Sequence, residues 1–294
     1  MTVQARRLPA AAAAQPRRFT LGGIPIHTAV IFIAILWNIP TLGLIVSSFR
    51  PPALVSSTGW WTAFAPPFQF TLDNYERVLT TNNMATSFLN SLVISIPATI
   101  IPIAIATYAA YAFAWMRFPG RRVLFLVLIA LLVIPLQTTL VPVLRMFTSV
   151  GLNGTFPAVW LAHTGYGLPL TIYLMRNFIG SLPAELFEAA SIDGSSPLTT
   201  FFRIVLPLSV PALASVAIFQ FLWVWNDLLV ALVFLGGTPA VAPVTVTVSN
   251  LVNSLGQNWQ LLTAAAFIAS ALPLFVFLAL QRYFVRGLLA GSYR

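Results

Sequence analysis

Six long runs of apolar residues, separated by short polar segments, divide the chain. They cover residues 29–47, 88–115, 123–143, 156–174, 208–235 and 261–280. Each run is close to or above the roughly 20 residues that a helix needs to cross the hydrocarbon core of a bilayer. Spanning strands would be shorter and would alternate apolar with polar residues, so the pattern predicts six transmembrane helices in an all-α membrane protein.

Every apolar run also contains proline, which removes a backbone donor and kinks a helix. Membrane bundles tolerate such kinks when neighbouring groups satisfy the freed carbonyls. We therefore expect bent helices, which suit a protein that opens and closes but which irregular packing would explain equally well.

The arginines give the orientation. With the N-terminus inside, twelve arginines fall in inside segments, and only Arg50, Arg77 and Arg145 fall outside. An excess of basic residues marks the cytoplasmic side, so both termini are predicted to be cytoplasmic. The predicted organisation is an N-terminal tail at 1–28, a six-helix membrane domain at 29–285 with a cytoplasmic loop at 181–207, and a C-terminal tail at 286–294.

The composition supports a lipid environment and excludes several kinds of chemistry. Of the 294 residues 59% are hydrophobic and only 7% are charged, against about 25% charged in a soluble domain. The net charge of +9 lies in short clusters between apolar runs, which argues against nucleic-acid binding. All 15 basic residues are arginine and there is no cysteine, which excludes a P-loop lysine and thiolate metal sites. Two isolated histidines, His27 and His163, predict no metal site.

The segment between the fourth and fifth runs, 176–206, is rich in helix start and stop signals. Pro183 suits the first turn of a helix, with Glu185 near the positive end of its dipole. Gly194 suits the end of that helix, and Ser195 or Ser196 can then cap a second one. The loop is predicted to be a helix–turn–helix elbow.

The second arm of this elbow places its apolar residues at helical spacing. Leu198, Phe201, Phe202 and Val205 recur at i, i+3, i+4 and i+7, and Pro207 is expected to end the helix at the membrane. The first arm carries three acids, Glu185, Glu188 and Asp193. Such an elbow could fill a groove on a cytoplasmic partner, with the acids facing basic residues there. The alternative, a connector lying on the membrane surface, fits an acidic arm poorly because the inner leaflet is itself negative.

The elbow also carries a specific motif. It begins with Glu188-Ala189-Ala190, continues with three residues, Gly194 and nine more residues, and ends with Ile204-Val205-Leu206-Pro207. This motif resembles the EAA loop of ABC importer permeases. Further segments resemble the smaller permease of maltose-type sugar importers, namely 71–75, 90–92, 118–121, 225–227 and 281–291. Within that group the chain looks most like α-glucoside or trehalose permeases, at segments 160–165 and 221–229. Residues 1–28 fall outside the resemblance, and 292–294 depart from the usual tail.

This resemblance implies a type I ABC importer permease fold in the cytoplasmic membrane of a bacterium or archaeon. It implies a second, larger permease subunit, two ATPase subunits and an extracytoplasmic sugar-binding protein as partners. ATP and magnesium would be bound by the ATPase subunits, so this chain would be a transport subunit without a cofactor rather than an enzyme. The implied substrate is a sugar such as maltose, trehalose or another α-glucoside, and the alternative is another solute such as glycerol phosphate or a different oligosaccharide.

In the family the EAA glutamate pairs with the ATPase, so the resemblance gives that role to Glu188. The expected coupling residues are Glu185, Glu188, Ala189, Ala190, Asp193, Gly194, Phe201, Arg203, Ile204 and Pro207.

Polar residues of the fourth and fifth runs are candidates for the sugar path or its gate. They are Tyr166, Gln220, Trp223, Asn226 and Asp227. A carboxylate inside a span is a functional hypothesis by default, and for Asp227 we favour a gate or packing role over sugar contact. The aromatic candidates are equally consistent with plain packing.

Other functions explain the sequence less well. A secondary transporter would show inverted repeats with carboxylates at the midplane, whereas Asp227 is the only acid in a predicted span. An intramembrane hydrolase would need a nucleophile paired with a base, and His163 has no evident partner in the sequence. The aromatics of the first outside loop, 48–83, indicate either an interfacial belt or contact with an external partner.

Overall fold

A computed structural model of the protein describes residues 24–252 and 258–290, with side chains described as far as Gln281 in the last helix. These ranges contain helices and no strand, as the apolar pattern predicts. Most of the predicted N-terminal tail and the last four residues of the predicted C-terminal tail lie outside the described residues.

Fourteen α-helices follow one another along the described chain. They are α1 (Ile24–Ser48), α2 (Pro52–Ser57), α3 (Asp73–Thr80), α4 (Met84–Trp115), α5 (Arg121–Leu131), α6 (Leu136–Ser149), α7 (Phe156–Ile179), α8 (Ala184–Ile192), α9 (Pro197–Thr200), α10 (Leu206–Leu208), α11 (Val210–Trp225), α12 (Leu229–Leu235), α13 (Val244–Asn250) and α14 (Trp259–Ala290). A short 3₁₀ helix covers Trp60–Phe64, and a π turn covers Phe201–Val205.

The chain divides into two compact units, residues 1–44 and 45–294. The first unit contains most of α1, in which Pro40 lies inside the helix. In the second unit α4 packs along α7, and α11 packs against both of them and against α14. Three apolar clusters fill this unit: one between α4, α6, α7 and α12, one between α4, α7, α11 and the π turn, and one between α3, α11 and α14.

The predicted span at 123–143 is wrong as a single helix. α5 and α6 meet at an angle of 101° across residues 132–135. Pro135 stands directly before α6 in an extended conformation, and because proline cannot donate to the preceding turn, the helix stops and restarts there. By contrast, Pro97, Pro102, Pro169 and Pro273 lie inside continuous helices.

The predicted span at 208–235 is also wrong as a single helix. The chain bends by 74° at Ser209, between α10 and α11. It breaks again between Trp225 and Leu229, where α11 ends and α12 begins. Among the described residues, three helices are continuous, long and apolar enough to cross a membrane, and up to five spans result if each bent pair counts as one.

Candidate coupling elbow and polar contacts of the fifth predicted span

The first arm of the predicted elbow is α8. Pro183 precedes it in an extended conformation, one position earlier than expected, and Glu185 lies in its first turn. The arm ends as predicted at Gly194, whose φ is 67°. The N–H of Ser195 donates to the carbonyl of Ala190 (2.9 Å) and the N–H of Gly194 to that of Ser191 (3.1 Å). This pair of hydrogen bonds is a Schellman motif, which satisfies the last carbonyls of the helix.

The second arm starts as the sequence predicts but does not continue as a regular helix. The Ser196 hydroxyl accepts a hydrogen bond from the N–H of Thr199 at 3.2 Å, with Pro197 in the first turn. After Thr200 the chain enters the π turn, closed by a hydrogen bond from the N–H of Leu206 to the carbonyl of Phe201. The helix then runs through Pro207 to Leu208 and bends at Ser209, so the expectation that Pro207 ends it is wrong.

The second arm buries a narrower face than the sequence predicts. Phe201 and Val205 are buried, at 6% and 0% exposure, whereas Leu198 and Phe202 are 54% and 60% exposed. The prediction of one apolar face is therefore wrong for two of its four members. Leu198 lies before the π turn and Phe202 at its start, so their exposure reflects the side of the arm that the bundle contacts rather than the turn itself.

Aromatic stacking fixes the elbow to the bundle. The Phe187 ring of α8 stacks on Trp115, at the end of α4, with ring centroids 3.8 Å apart. The Trp115 indole N–H donates to the carbonyl of Ile179 at 2.9 Å, which ties α4 to the end of α7. The Tyr111 ring also packs near those of Phe187 and Phe201, with ring centroids 6.4 and 5.9 Å away. Both arms of the elbow therefore pack directly on α4, which is joined in turn to the end of α7.

The opposite side of the elbow is exposed and acidic. The predicted coupling residues that are exposed are Glu185, Glu188, Ala189, Asp193, Gly194, Arg203 and Pro207. Ala190 and Phe201 are buried and Ile204 is half-buried, so these three belong to the side that packs on the bundle. Ile192, which the sequence reasoning missed, is 86% exposed beside the acids. Its place on the exposed, acidic side of the elbow makes it a further candidate for contact with a partner.

The corner of the elbow provides a stability test. Gly194→Ala is expected to destabilise the protein by about 1 kcal/mol, because a Cβ disfavours the left-handed conformation. Thermal unfolding of the purified transporter would measure this loss. Gly165→Ala is the matched control: Gly165 lies in α7, where an added Cβ meets nothing within 4 Å and no positive φ is required. Equal melting temperatures for the Gly194 variant and the parent would contradict the role of the corner.

The polar candidates of the fourth and fifth predicted spans have separate surroundings. The Tyr166 hydroxyl accepts from Thr139 in α6 at 3.1 Å. The Gln220 amide is buried and donates to the Ala98 carbonyl in α4 at 3.1 Å. Asn226 is exposed, and its amide donates to the Leu222 carbonyl one turn earlier. These contacts connect helices or satisfy local backbone rather than converge on one open site.

Asp227 occupies the break between α11 and α12. Its carboxylate accepts the N–H groups of Val230 and Ala231, at 3.3 and 2.9 Å, and so caps the start of α12. Its backbone carbonyl accepts the hydroxyl of Thr245 at 2.6 Å. The prediction placed this acid within a continuous helix, whereas the carboxylate instead restarts the helix after an interruption. All three contacts are structural ones within the chain, and the gate or packing role favoured for Asp227 stays a prediction.

His163 is the residue of this region that the sequence reasoning missed. It is fully buried in α7, and its Nε2 lies 3.6 Å from the Asp227 carboxylate. The ring of Trp223 meets it edge to face at 5.2 Å. The two partners are 64 positions apart in the sequence, so spacing could not pair them. The signal available was chemical, because an ionisable residue inside an apolar helix implies a partner.

Comparison with known proteins places the chain in a family. Residues 102–289 match the family of binding-protein-dependent transport system inner membrane components. The chain is 63% identical to the osmoprotective compounds uptake permease protein GgtD of Synechocystis, over 92% of this chain and 91% of that one. It is 54% identical to the alpha-glucoside transport system permease protein AglG of Rhizobium meliloti, over 84% of this chain and 66% of that one.

A solved structure shares the fold at low sequence identity. It is a bacterial alginate ABC transporter in complex with a periplasmic protein that holds an alginate pentasaccharide, with a TM-score of 0.65 and 14% identity over 88% of this chain and 94% of that one. The resemblance to ABC importer permeases that the motifs indicated is confirmed. The chain belongs to the family of binding-protein-dependent transport system inner membrane components, and it is a transport subunit rather than an enzyme, because ATP hydrolysis in these systems belongs to separate ATPase subunits.

Proposed function

We propose that this chain is a permease subunit of an ATP-driven importer for a sugar, most specifically an α-linked disaccharide or oligosaccharide such as maltose, trehalose or another α-glucoside. The elbow is the point at which an ATPase subunit drives it. The observation that carries this proposal is the two-sided elbow, with exposed acids on one side and the stacked rings of Phe187 and Trp115 on the other. The 54% identity to AglG supports the substrate class.

The coupling mechanism follows from the two sides. Glu185, Glu188 and Asp193 face basic residues of the ATPase, and Ile192 adds an apolar contact between them. When the ATPase subunits close on ATP, the force reaches α4 through Phe187 and Trp115, and it reaches α11 through the π turn. The 74° bend at Ser209 is the position at which this push changes direction.

The proposed assembly places six spans in the cytoplasmic membrane of a bacterium or archaeon, with both termini in the cytoplasm. α7, with 24 residues, is the sixth span when each of the two bent helix pairs counts as one span. A second, larger permease subunit, two ATPase subunits and an extracytoplasmic sugar-binding protein complete the machine. ATP and magnesium lie in the ATPase subunits.

A second candidate substrate is an osmoprotective compound, which the name and the 63% identity of GgtD favour. The two candidates are separated by uptake into cells that contain the complete transporter. We expect uptake of labelled trehalose or maltose, competed by other α-glucosides and lost when the ATPase subunit is inactivated. Uptake of an osmoprotectant with no competition from α-glucosides would replace the first candidate by the second, and ATP-independent uptake would contradict both.

A further inference from the structure

The turn between α4 and α5 forms a basic pocket at the predicted cytoplasmic boundary of the membrane. Its volume is about 490 Å³, and it is lined by Arg117, Phe118, Gly120, Arg121, Arg122 and Val123. Arg117 and Arg122 are exposed and Arg121 is half-buried. Three guanidinium groups from six consecutive residues therefore share one concave surface.

The pocket is held in shape by its surroundings. Phe113 contacts both Phe118 and Phe125, with ring centroids 5.8 and 5.4 Å apart, which fastens the turn to α5. The Arg121 guanidinium donates to the carbonyl of Met116 at 2.8 Å, closing the turn across its base. These contacts order the turn and the Arg121 side chain before any ligand binds, which lowers the conformational entropy that binding costs.

No carboxylate within the described part of the chain neutralises the positive charge of the pocket. All six carboxylates of the sequence lie in described segments, and there none makes a salt bridge with an arginine. A fourth guanidinium, that of Arg176 in α7, lies 5.1 Å from the centre of the Phe125 ring. Phe125 itself is one helical turn after Arg121 in α5. The first turn of α5 adds N–H groups without helical partners. The arrangement suits a phosphate, which arginine binds through paired hydrogen bonds.

An apolar surface continues from the pocket along α5. Val123, Leu126 and Val127 are 65%, 68% and 52% exposed, and they follow the arginines within two helical turns. Free phosphate would use only the arginines, whereas a phospholipid would use both surfaces, with its phosphate in the pocket and its acyl chains along α5. Basic pockets at the cytoplasmic side of membrane helices bind anionic head groups in this way.

We propose that the Arg117, Arg121 and Arg122 pocket binds the head group of an anionic phospholipid from the cytoplasmic leaflet. This site lies outside the elbow and the polar contacts of the fifth span. The choice of leaflet rests on the orientation given under the proposed function, whereas selectivity for an anionic head group rests on the pocket alone.

The test is native mass spectrometry of the complete transporter with added phosphatidylglycerol or phosphatidylcholine. The parent is expected to retain phosphatidylglycerol selectively. The variant Arg117→Gln, Arg121→Gln, Arg122→Gln should lose on the order of a hundredfold in affinity, at about fivefold per arginine. Arg122→Gln alone, on an exposed side chain, should lose about fivefold and guards against misfolding of the triple variant. Arg145→Gln, an exposed arginine of α6, is the matched control and should retain the lipid.

Retention of phosphatidylglycerol by the triple variant, or equal retention of the two lipids by the parent, would overturn the site. Binding of inorganic phosphate without the lipid would show a free-phosphate site and reject the phospholipid. If no lipid is added and the ATPase subunit dissociates from the triple variant but not from the parent, the pocket is a protein contact instead.

The chain has no cysteine, so Pro119→Cys can report on which side of the membrane the pocket lies, by labelling with an impermeant maleimide. Labelling from outside would contradict the orientation while leaving the lipid measurements to decide the pocket.

Discussion

Glu188→Arg is expected to reduce substrate uptake by roughly a hundredfold or more while the subunit remains inserted in the membrane. The side chain is exposed on α8, so its replacement disturbs no packing in this chain. At the proposed interface, the change places a positive charge opposite basic residues of the ATPase, and a like-charge contact of this kind costs several kcal/mol. Uptake into cells and ATP hydrolysis by the reconstituted complex are measured together, because loss of coupling should abolish the first while hydrolysis ceases to respond to substrate.

Glu76→Arg is the matched control for this charge reversal. Glu76 is an exposed acid on α3, in the segment predicted to lie outside, and its reversal should leave uptake within about twofold, since exposed charge changes are usually worth less than 0.5 kcal/mol. A Glu188 variant that transports as well as the Glu76 variant would exclude the docking role of Glu188.

Asp227→Ala is expected to lower the melting temperature of the complex and to reduce uptake strongly, without loss of ATPase binding. The substitution removes the acceptor of two backbone N–H groups at the start of α12, together with the contact to His163. Hydrogen bonds to charged groups contribute about 1.5–3 kcal/mol each. Uptake, thermal unfolding and co-purification of the ATPase subunit measure the three parts of this expectation.

Asp227→Asn separates the two tasks of the carboxylate, because an amide oxygen can still accept one N–H group but carries no charge. We expect it to recover much of the stability that Asp227→Ala loses. Asp73→Ala, at an exposed acid of α3, is the control for simple loss of negative charge. An Asp227→Ala protein with the parent's melting temperature and no uptake would show that the residue acts on the substrate and not on packing.

The elbow was the most predictable region because its signals are local. Gly194 in the left-handed conformation and Ser196 at the start of the second arm follow from backbone chemistry within a few residues. The all-helical fold followed from apolar runs of spanning length. The buried side of the second arm could not be predicted, because it depends on which of its residues meet the bundle, as Phe201 meets Tyr111.

The interruptions of the helices were less predictable because they depend on competing interactions. Many prolines occur in the apolar runs, yet Pro135 marks a sharp break while Pro97 and Pro102 lie inside α4. The carbonyls of Val93 and Ala98, which Pro97 and Pro102 leave without a helical donor, accept from the side chains of Trp160 and Gln220 on neighbouring helices. Before Pro135, the Leu131 carbonyl instead accepts from the N–H of Ile134 in a tight turn of the same segment. The His163 and Asp227 contact joins two helices that only the folded bundle brings together, so the acid could be singled out from sequence but its partner could not.

The π turn at Phe201–Val205 also makes the length of this segment adjustable by one residue. A π turn holds one residue more than an α turn, so deletion of a single residue within it would let the segment close as an ordinary helix. Because the extra residue is absorbed inside the turn, the side chains from Leu206 onward would keep nearly their present orientation relative to the elbow. A deletion outside the turn, in α9 (Pro197–Thr200), would instead rotate the rest of the second arm by about 100° relative to the first arm.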